Sequence, residues 1–215
     1  MNYGPLLFLG ILFTLASSWV GLVLVPHRQL GNQAAHAATN DAGQVTYYPQ
    51  DRPGEAQQGA EIYRSLGCIY CHSQQVRPEG CWADQARGWG KRRTVSRDYL
   101  YDRPVMLGTM RTGPDLTNIG ERQPSHDWHY THLYQPRTTS PGSTMPPYPF
   151  LFEVRTVRPS GPSPDALKLT GEFAPPAGFE VVPRPAARQL VEYLRSLKTS
   201  VALPEAPLPK PPESK

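Results

Sequence analysis

From Leu6 to Val25 the chain carries no charge, and its only polar side chains apart from Trp19 are Thr14, Ser17 and Ser18. Coiled as a helix, this twenty-residue stretch reaches about 30 Å, enough to cross the hydrocarbon core of a bilayer. A cleaved signal peptide is the competing reading, because Ala35-His36-Ala37 resembles a small-residue cleavage site. The basic n-region of such leaders is missing and the apolar run is too long, so the pattern predicts an uncleaved anchor over residues 1–27. Arg28, with no Lys or Arg before it, would by the positive-inside rule hold the C-terminal side in the cytoplasm. Long domains translocate largely regardless of such local charge, and the C-x-x-C-H motif at Cys68 belongs outside the cytoplasm, so the chain beyond the anchor is assigned to the outer side.

Residues 28–53 are rich in Ala, Asn, Gly and Gln without apolar periodicity and read as a linker. From Glu55 to Leu66 the positions of Ala56, Gly59, Ala60, Ile62, Tyr63 and Leu66 predict a helix, which Gly67 ends. Residues 73–124 read as loop with one or two short turns, and Asp127 to Tyr134 as a helix ended by Pro136. The alternation over residues 152–157 and the apolar patch Phe179-Glu180-Val181-Val182 predict a small hairpin within an insertion at about 152–184. Pro185 then opens a helix whose Ala187, Leu190, Val191, Leu194 and Leu197 form one stripe, able to pack on the first. Residues 201–215 hold five prolines and read as an extended, disordered tail.

With 25 prolines and 18 glycines in 215 residues, much of the chain must be loop, so a large all-protein core is not expected. An apolar prosthetic group would supply an interior for those loops to pack on. The net charge of +4 arises entirely from Arg28 onward and suits anionic lipid or an acidic protein partner; export of the domain argues against nucleic acid.

The chemistry is concentrated in Cys68-Ile69-Tyr70-Cys71-His72, a C-x-x-C-H sequence. In a helical turn Cys68, Cys71 and His72 fall at i, i+3 and i+4 on one face. Two thiols there can add to the two vinyl groups of one haem while the imidazole reaches its iron, so covalent haem c is expected. A structural zinc site wants four ligands, and beyond the motif the chain offers only Cys81 as a further thiol. A thioredoxin-like pair would need a βαβ setting that this sequence lacks. Cys81 is read as a buried small hydrophobe.

A second axial ligand is sought among Met106, Met110, Met145, His126, His129 and His132. Met145 is chosen, because the prolines of Met145-Pro146-Pro147-Tyr148-Pro149 stiffen its loop at small entropic cost and His/Met ligation is common in cytochromes c. Pro114, in Gly113-Pro114-Asp115-Leu116, is assigned the backbone carbonyl that accepts the free ring N–H of His72. His126, His129 and His132 recur every three residues and read as a face toward haem propionates or a partner, with solvated surface as the plain alternative. Most of the basic positions Lys91, Arg92, Arg93, Arg97, Arg103, Arg111 and Arg137 read as solvated.

Taken together, Gly67 to Gln74 with Val76-Arg77-Pro78, Tyr99 to Pro104, Arg111 to Leu116, Asp127-Trp128-His129 with His132-Leu133, Pro136-Arg137, and Met145-Pro146 with Tyr148-Pro149 resemble the mono-haem cytochrome c subunit (subunit II) of cbb3-type cytochrome oxidases. The resemblance covers roughly residues 59–151. It implies one N-terminal membrane helix in a bacterial inner membrane and a periplasmic domain with one haem. It also implies electrons received from a donor cytochrome and passed to the haem-containing catalytic subunit, where oxygen is reduced. On it Cys68 and Cys71 hold the haem, His72 and Met145 ligate its iron, and no catalytic residue is expected on this chain. Cys81, the insertion and the tail depart from the pattern. A nitric oxide reductase cytochrome subunit, a haem peroxidase and a haem-free redox or metal clip are the alternatives.

The fold class expected is therefore mainly α: a single transmembrane helix, then a loop-rich cytochrome c-type haem domain over 54–200 with a small β-containing insertion.

Overall fold

The structure is a computed structural model and describes residues 2–39, 43–80 and 83–209. The chain divides into two compact units, Met1–Pro49 with Ser96–Leu100, and Gln50–Val95 with Tyr101–Lys215.

In the first unit, α1 (Gly4–Leu30) is one continuous helix of 27 residues, apolar and long enough to cross a membrane, with none of its side chains buried in the protein. Its turns widen to π-helical spacing over Val20–Leu24, just before Pro26. A proline ring clashes with the carbonyl four residues back and offers no N–H, and the wider turn relieves both, so the helix runs three residues past the boundary read at 27. The stretch read as a plain linker instead holds an antiparallel hairpin, β1 (His36–Thr39) with β2 (Val45–Tyr48), pairing His36 with Tyr48 and Thr39 with Val45. Val45-Thr46-Tyr47-Tyr48 is a run of β-branched and aromatic strand formers, a signal that helical periodicity does not reveal. The segment Ser96–Leu100 adds to this unit through Tyr48 Oη to Asp98 Oδ1 at 2.6 Å and Ser96 Oγ to Gln33 Oε1 at 2.9 Å.

The second unit is built on two helices, α2 (Gly54–Ser65) and α6 (Pro185–Ser196). Between them lie α3 (Ile119–Arg122), α4 (His126–Tyr134), α5 (Pro136–Thr139) and the hairpin β3 (Phe152–Thr156) with β4 (Phe179–Pro183). The apolar stripes meet as their spacing predicts: Ala56, Ala60 and Tyr63 of α2 are buried, as are Ala187, Leu190, Val191, Tyr193 and Leu194 of α6. Gly59 sets the approach, since a Cβ there would lie 1.9 Å from the Gln189 carbonyl oxygen and 2.7 Å from Tyr193 Cβ. The Tyr63 and Tyr193 rings pack at 5.3 Å.

The β3–β4 hairpin pairs Phe152 with Pro183 through Thr156 with Phe179. On one face Glu180 accepts from Arg155 Nε at 2.8 Å, Ser163 N at 2.6 Å and Ser163 Oγ at 2.8 Å, which ties the intervening loop to the sheet. The start of the expected tail is also tied down. Leu203 and Ala206 are buried and exchange backbone hydrogen bonds, while Arg92 Nε donates to the Val201 carbonyl at 2.7 Å and Arg93 Nη2 to that of Glu205 at 2.8 Å. Arg92 is thus buried rather than solvated: the carbonyls of an irregular segment need donors, and a guanidinium supplies several.

Candidate haem site

Gly67 takes the left-handed conformation (φ +74°) that stops α2 and turns the chain into Cys68–Tyr70, a single 3₁₀ turn. His72 N donates to the Cys68 carbonyl at 3.0 Å and Cys71 N to the same oxygen at 3.1 Å, so both cysteines and the histidine share one turn. Cys68 is half-buried, packed with Ile69 against the core, and burial pushes its thiol up to about 11; Cys71 is exposed. Both are free thiols. Cys81 lies outside the described residues.

The His72 ring is fixed by the Gly113-Pro114-Asp115 segment. Its Nδ1 is 2.8 Å from the Pro114 carbonyl oxygen, which can only accept, so Nδ1 carries the proton and Nε2 is left as a lone pair. Burial lowers the pKa of the ring, favouring this neutral, ligand-competent form. Gly113 lies flush against the imidazole: a Cβ there would be 2.3 Å from Cε1 and 2.7 Å from Nδ1. Gly108, with φ of +81°, passes equally close to the His72 carbonyl oxygen, 2.3 Å from an added Cβ. Gly113 N donates to Cys71 O at 2.9 Å and Leu116 N to Ser73 O at 2.8 Å, which completes the seam.

A charged network braces that seam from behind. Asp115, fully buried, accepts from Ser73 Oγ at 2.6 Å, Gln75 N at 2.8 Å and Thr117 N at 2.9 Å. Arg111 holds Asp84 bidentately at 2.6 and 2.8 Å and also donates to Ser73 Oγ at 2.8 Å and Gln75 O at 2.5 Å. Burial opposes ionisation of Asp84, but hydrogen bonds from Arg111 and from Arg77 N outweigh it and hold its pKa below the usual carboxylate value. Arg122 donates to the Asp115 carbonyl. Asp84 did not stand out in the sequence, and Asp115 entered only as the neighbour of Pro114 in its motif, since single aspartates in loop carry no periodic signal.

The three candidate methionines differ in their surroundings. Met106 is buried with its sulfur 3.8 Å from the Tyr193 hydroxyl, and Met110 is 61 % exposed. Met145 is half-buried and packs, with Tyr148, Cys68 and Ile69, against one hydrophobic cluster. Its loop is anchored by Tyr148 N donating to the Leu133 carbonyl at 2.9 Å.

The three histidines of α4 have separate fates rather than one shared face. His126 Nε2 lies 2.6 Å from both Glu192 Oε1 and Arg195 Nη1. His129 is buried, bonded to the Gln123 carbonyl at 2.8 Å, and burial pushes its pKa down to about 4. His132 bonds Thr139 and stacks on Trp128. Among the described residues no three His, Cys, Asp or Glu side chains converge as a site for a metal ion.

A family model described as the mono-heme subunit of cytochrome C oxidase, FixO, matches residues 10–161. The chain belongs to the FixO family. The match begins inside α1, takes in the whole C-x-x-C-H seam and the Met145 loop, and ends just beyond β3. This FixO chain is therefore a subunit of a cytochrome c oxidase, a haem protein and a partner of the oxidase's catalytic subunit. α6, which closes the core of the second unit, lies outside the matched range. No curated protein matches the chain.

Proposed function

We propose that this chain is the membrane-anchored mono-haem cytochrome c of a cbb3-type terminal oxidase, passing single electrons from a donor cytochrome to the haem-containing catalytic subunit. The observation that carries the reading is the 2.8 Å contact from His72 Nδ1 to the Pro114 carbonyl, with Cys68 and Cys71 on the same turn. It leaves one lone pair, Nε2, beside two free thiols, a donor set that fits a covalently attached haem and suits neither a thioredoxin pair nor a four-ligand zinc clip.

On this reading Cys68 and Cys71 would hold the macrocycle by thioether bonds, His72 and Met145 would ligate its iron, and the haem would supply a reversible one-electron couple. His72 stays neutral and oriented because Pro114 takes its Nδ1 proton in a hydrogen bond and Gly113 leaves room for the ring. Met145 would exclude other ligands, so the site would suit electron exchange rather than substrate binding. α1, which runs to Leu30, serves as the anchor in a bacterial inner membrane, the segment from there to residue 53 as the tether and 54–200 as the periplasmic haem domain. The oxidase family match favours this over a nitric oxide reductase subunit.

Mass spectrometry of the chain expressed with a haem-attachment system tests it: one covalent haem is expected, and bare polypeptide rejects the reading. In Met145→Ala the reduced protein gains carbon monoxide binding; unchanged low-spin spectra and no binding would remove Met145 from the ligand set.

A further inference from the structure

Five residues, Gly31 to Ala35, join the end of α1 to β1. Fully stretched they would reach about 20 Å, but Gln33 N bonds back to the Leu30 carbonyl at 3.2 Å and turns the chain as it leaves the helix. The turn is pinned to the Ser96–Leu100 segment: Gln33 Oε1 accepts from Ser96 Oγ at 2.9 Å, and the Ala34 carbonyl accepts from Arg97. Tyr48 Oη, donating to Asp98 Oδ1, pins the hairpin to the same segment, so α1, the turn and the hairpin form one unit. The charge-free run of α1 ends at Val25, and residues 26–30 rise about 7 Å, roughly the depth of one headgroup layer. The hairpin therefore starts at the membrane surface.

The register sets Ala37 opposite Tyr47 and Thr39 opposite Val45, four exposed side chains on one face, with Val45 58 % and Tyr47 61 % accessible. On the other face His36, Ala38 and Tyr48 are half-buried. None of the eight strand residues is Asp, Glu, Lys or Arg. A lone two-stranded hairpin with such a face left in water is marginal. Tyr and Trp mark both interfaces of membrane helices. Tyr3 stands at the start of α1, but Val20 to Leu30 contains neither residue, and the first aromatic ring after it is Tyr47.

We propose that the β1–β2 hairpin is a membrane foot: the face of Ala37, Thr39, Val45 and Tyr47 rests in the headgroup layer of the bilayer that α1 crosses, with the Tyr47 ring toward the acyl chains. The proposal rests on the anchor reading and adds a second contact with lipid. A partner protein fits less well, because a specific interface takes roughly 20–30 residues a side and this face offers four. Lipid needs no such area, since α1 already holds the hairpin at the surface. The foot resists rocking of α1 against the hairpin and keeps Ser96–Leu100 at the membrane plane.

The test uses the full chain assembled in its oxidase in native membranes, with the photoreactive residue p-benzoylphenylalanine placed at Tyr47 and, in separate preparations, at Val45 and at Thr46. After irradiation, peptide mass spectrometry is expected to show the added mass of a phospholipid at Tyr47 and Val45, and roughly tenfold less at Thr46, whose side chain points to the opposite face. Cross-links from Tyr47 and Val45 to another protein, equal lipid adducts at all three positions, or no adduct at all overturns the foot. Release of the unmodified chain from membranes by an alkaline carbonate wash instead overturns the anchor reading, and is seen before any irradiation.

Discussion

Gly113→Ala puts the geometry of the His72 seam to a direct test. The added Cβ would sit 2.3 Å from Cε1, 2.7 Å from Nδ1 and 2.9 Å from Nε2 of His72, so the whole ring must move. Overpacking of this kind costs about 1–3 kcal/mol, and losing the Nδ1 bond to Pro114 adds about 1 kcal/mol, for a total of roughly 2–4 kcal/mol. At about 2–4 °C per kcal/mol for a domain of this size, the melting temperature falls by roughly 4–16 °C. On the proposed haem reading, the ring displacement would also weaken ligation by His72 and shift the absorption spectrum of the reduced protein. Thermal melts of the full chain in detergent, followed by absorption, read both effects. Gly54→Ala is the control, because nothing lies within 4 Å of a Cβ there and the residue opens a helix. If Gly113→Ala melts and absorbs like Gly54→Ala, Gly113 does not seat His72 and the reasoning fails.

Three further outcomes are expected. Asp84→Ala takes the bidentate partner from the largely buried Arg111, whose nearest remaining carboxylate is Asp115 at 3.6 Å, and costs about 3 kcal/mol, read by urea denaturation; a loss under about 1 kcal/mol would show that Asp115 and water replace the carboxylate. Glu180, held down to about 2 by Ser163 N and then Arg155, is depressed relative to its ordinary value near 4.3. The stability it lends the hairpin is therefore complete above that ordinary value and is lost as pH falls through about 2, so amide exchange in residues 152–183 accelerates across this window in the native chain and less steeply in Glu180→Gln. Gly59→Ala drives a side chain into the backbone of α6 at Gln189, and the yield of folded protein drops sharply; normal yield and melting would mean that α2 and α6 can separate without harm.

Features with a short repeat were legible in the sequence. The apolar run of α1, the stripes of α2 and α6, and the alternation of β3 and β4 each declare themselves within a dozen or so residues, because burial selects positions at the period of the element. The cysteines and histidine of the C-x-x-C-H motif are legible for a related reason: their spacing places them on one turn of backbone. The hairpin of β1 and β2 escaped because its strands have only four residues each and alternate weakly. The burial of Leu203, Ala206 and Arg92 escaped because proline-rich and basic composition reports an average and says nothing of individual contacts.

The chain's sequence by itself determined where a membrane helix, two core helices and a thiol–imidazole turn would form, since those depend on neighbours a few residues away. Only the tertiary structure decided which groups meet across the loops: Gly113 and Pro114 against His72, and Arg111 between Asp84 and Ser73. Several of those partners lie tens of residues apart and obey no period. Their identity follows from the path of an irregular backbone whose polar groups must each find a donor or acceptor once buried.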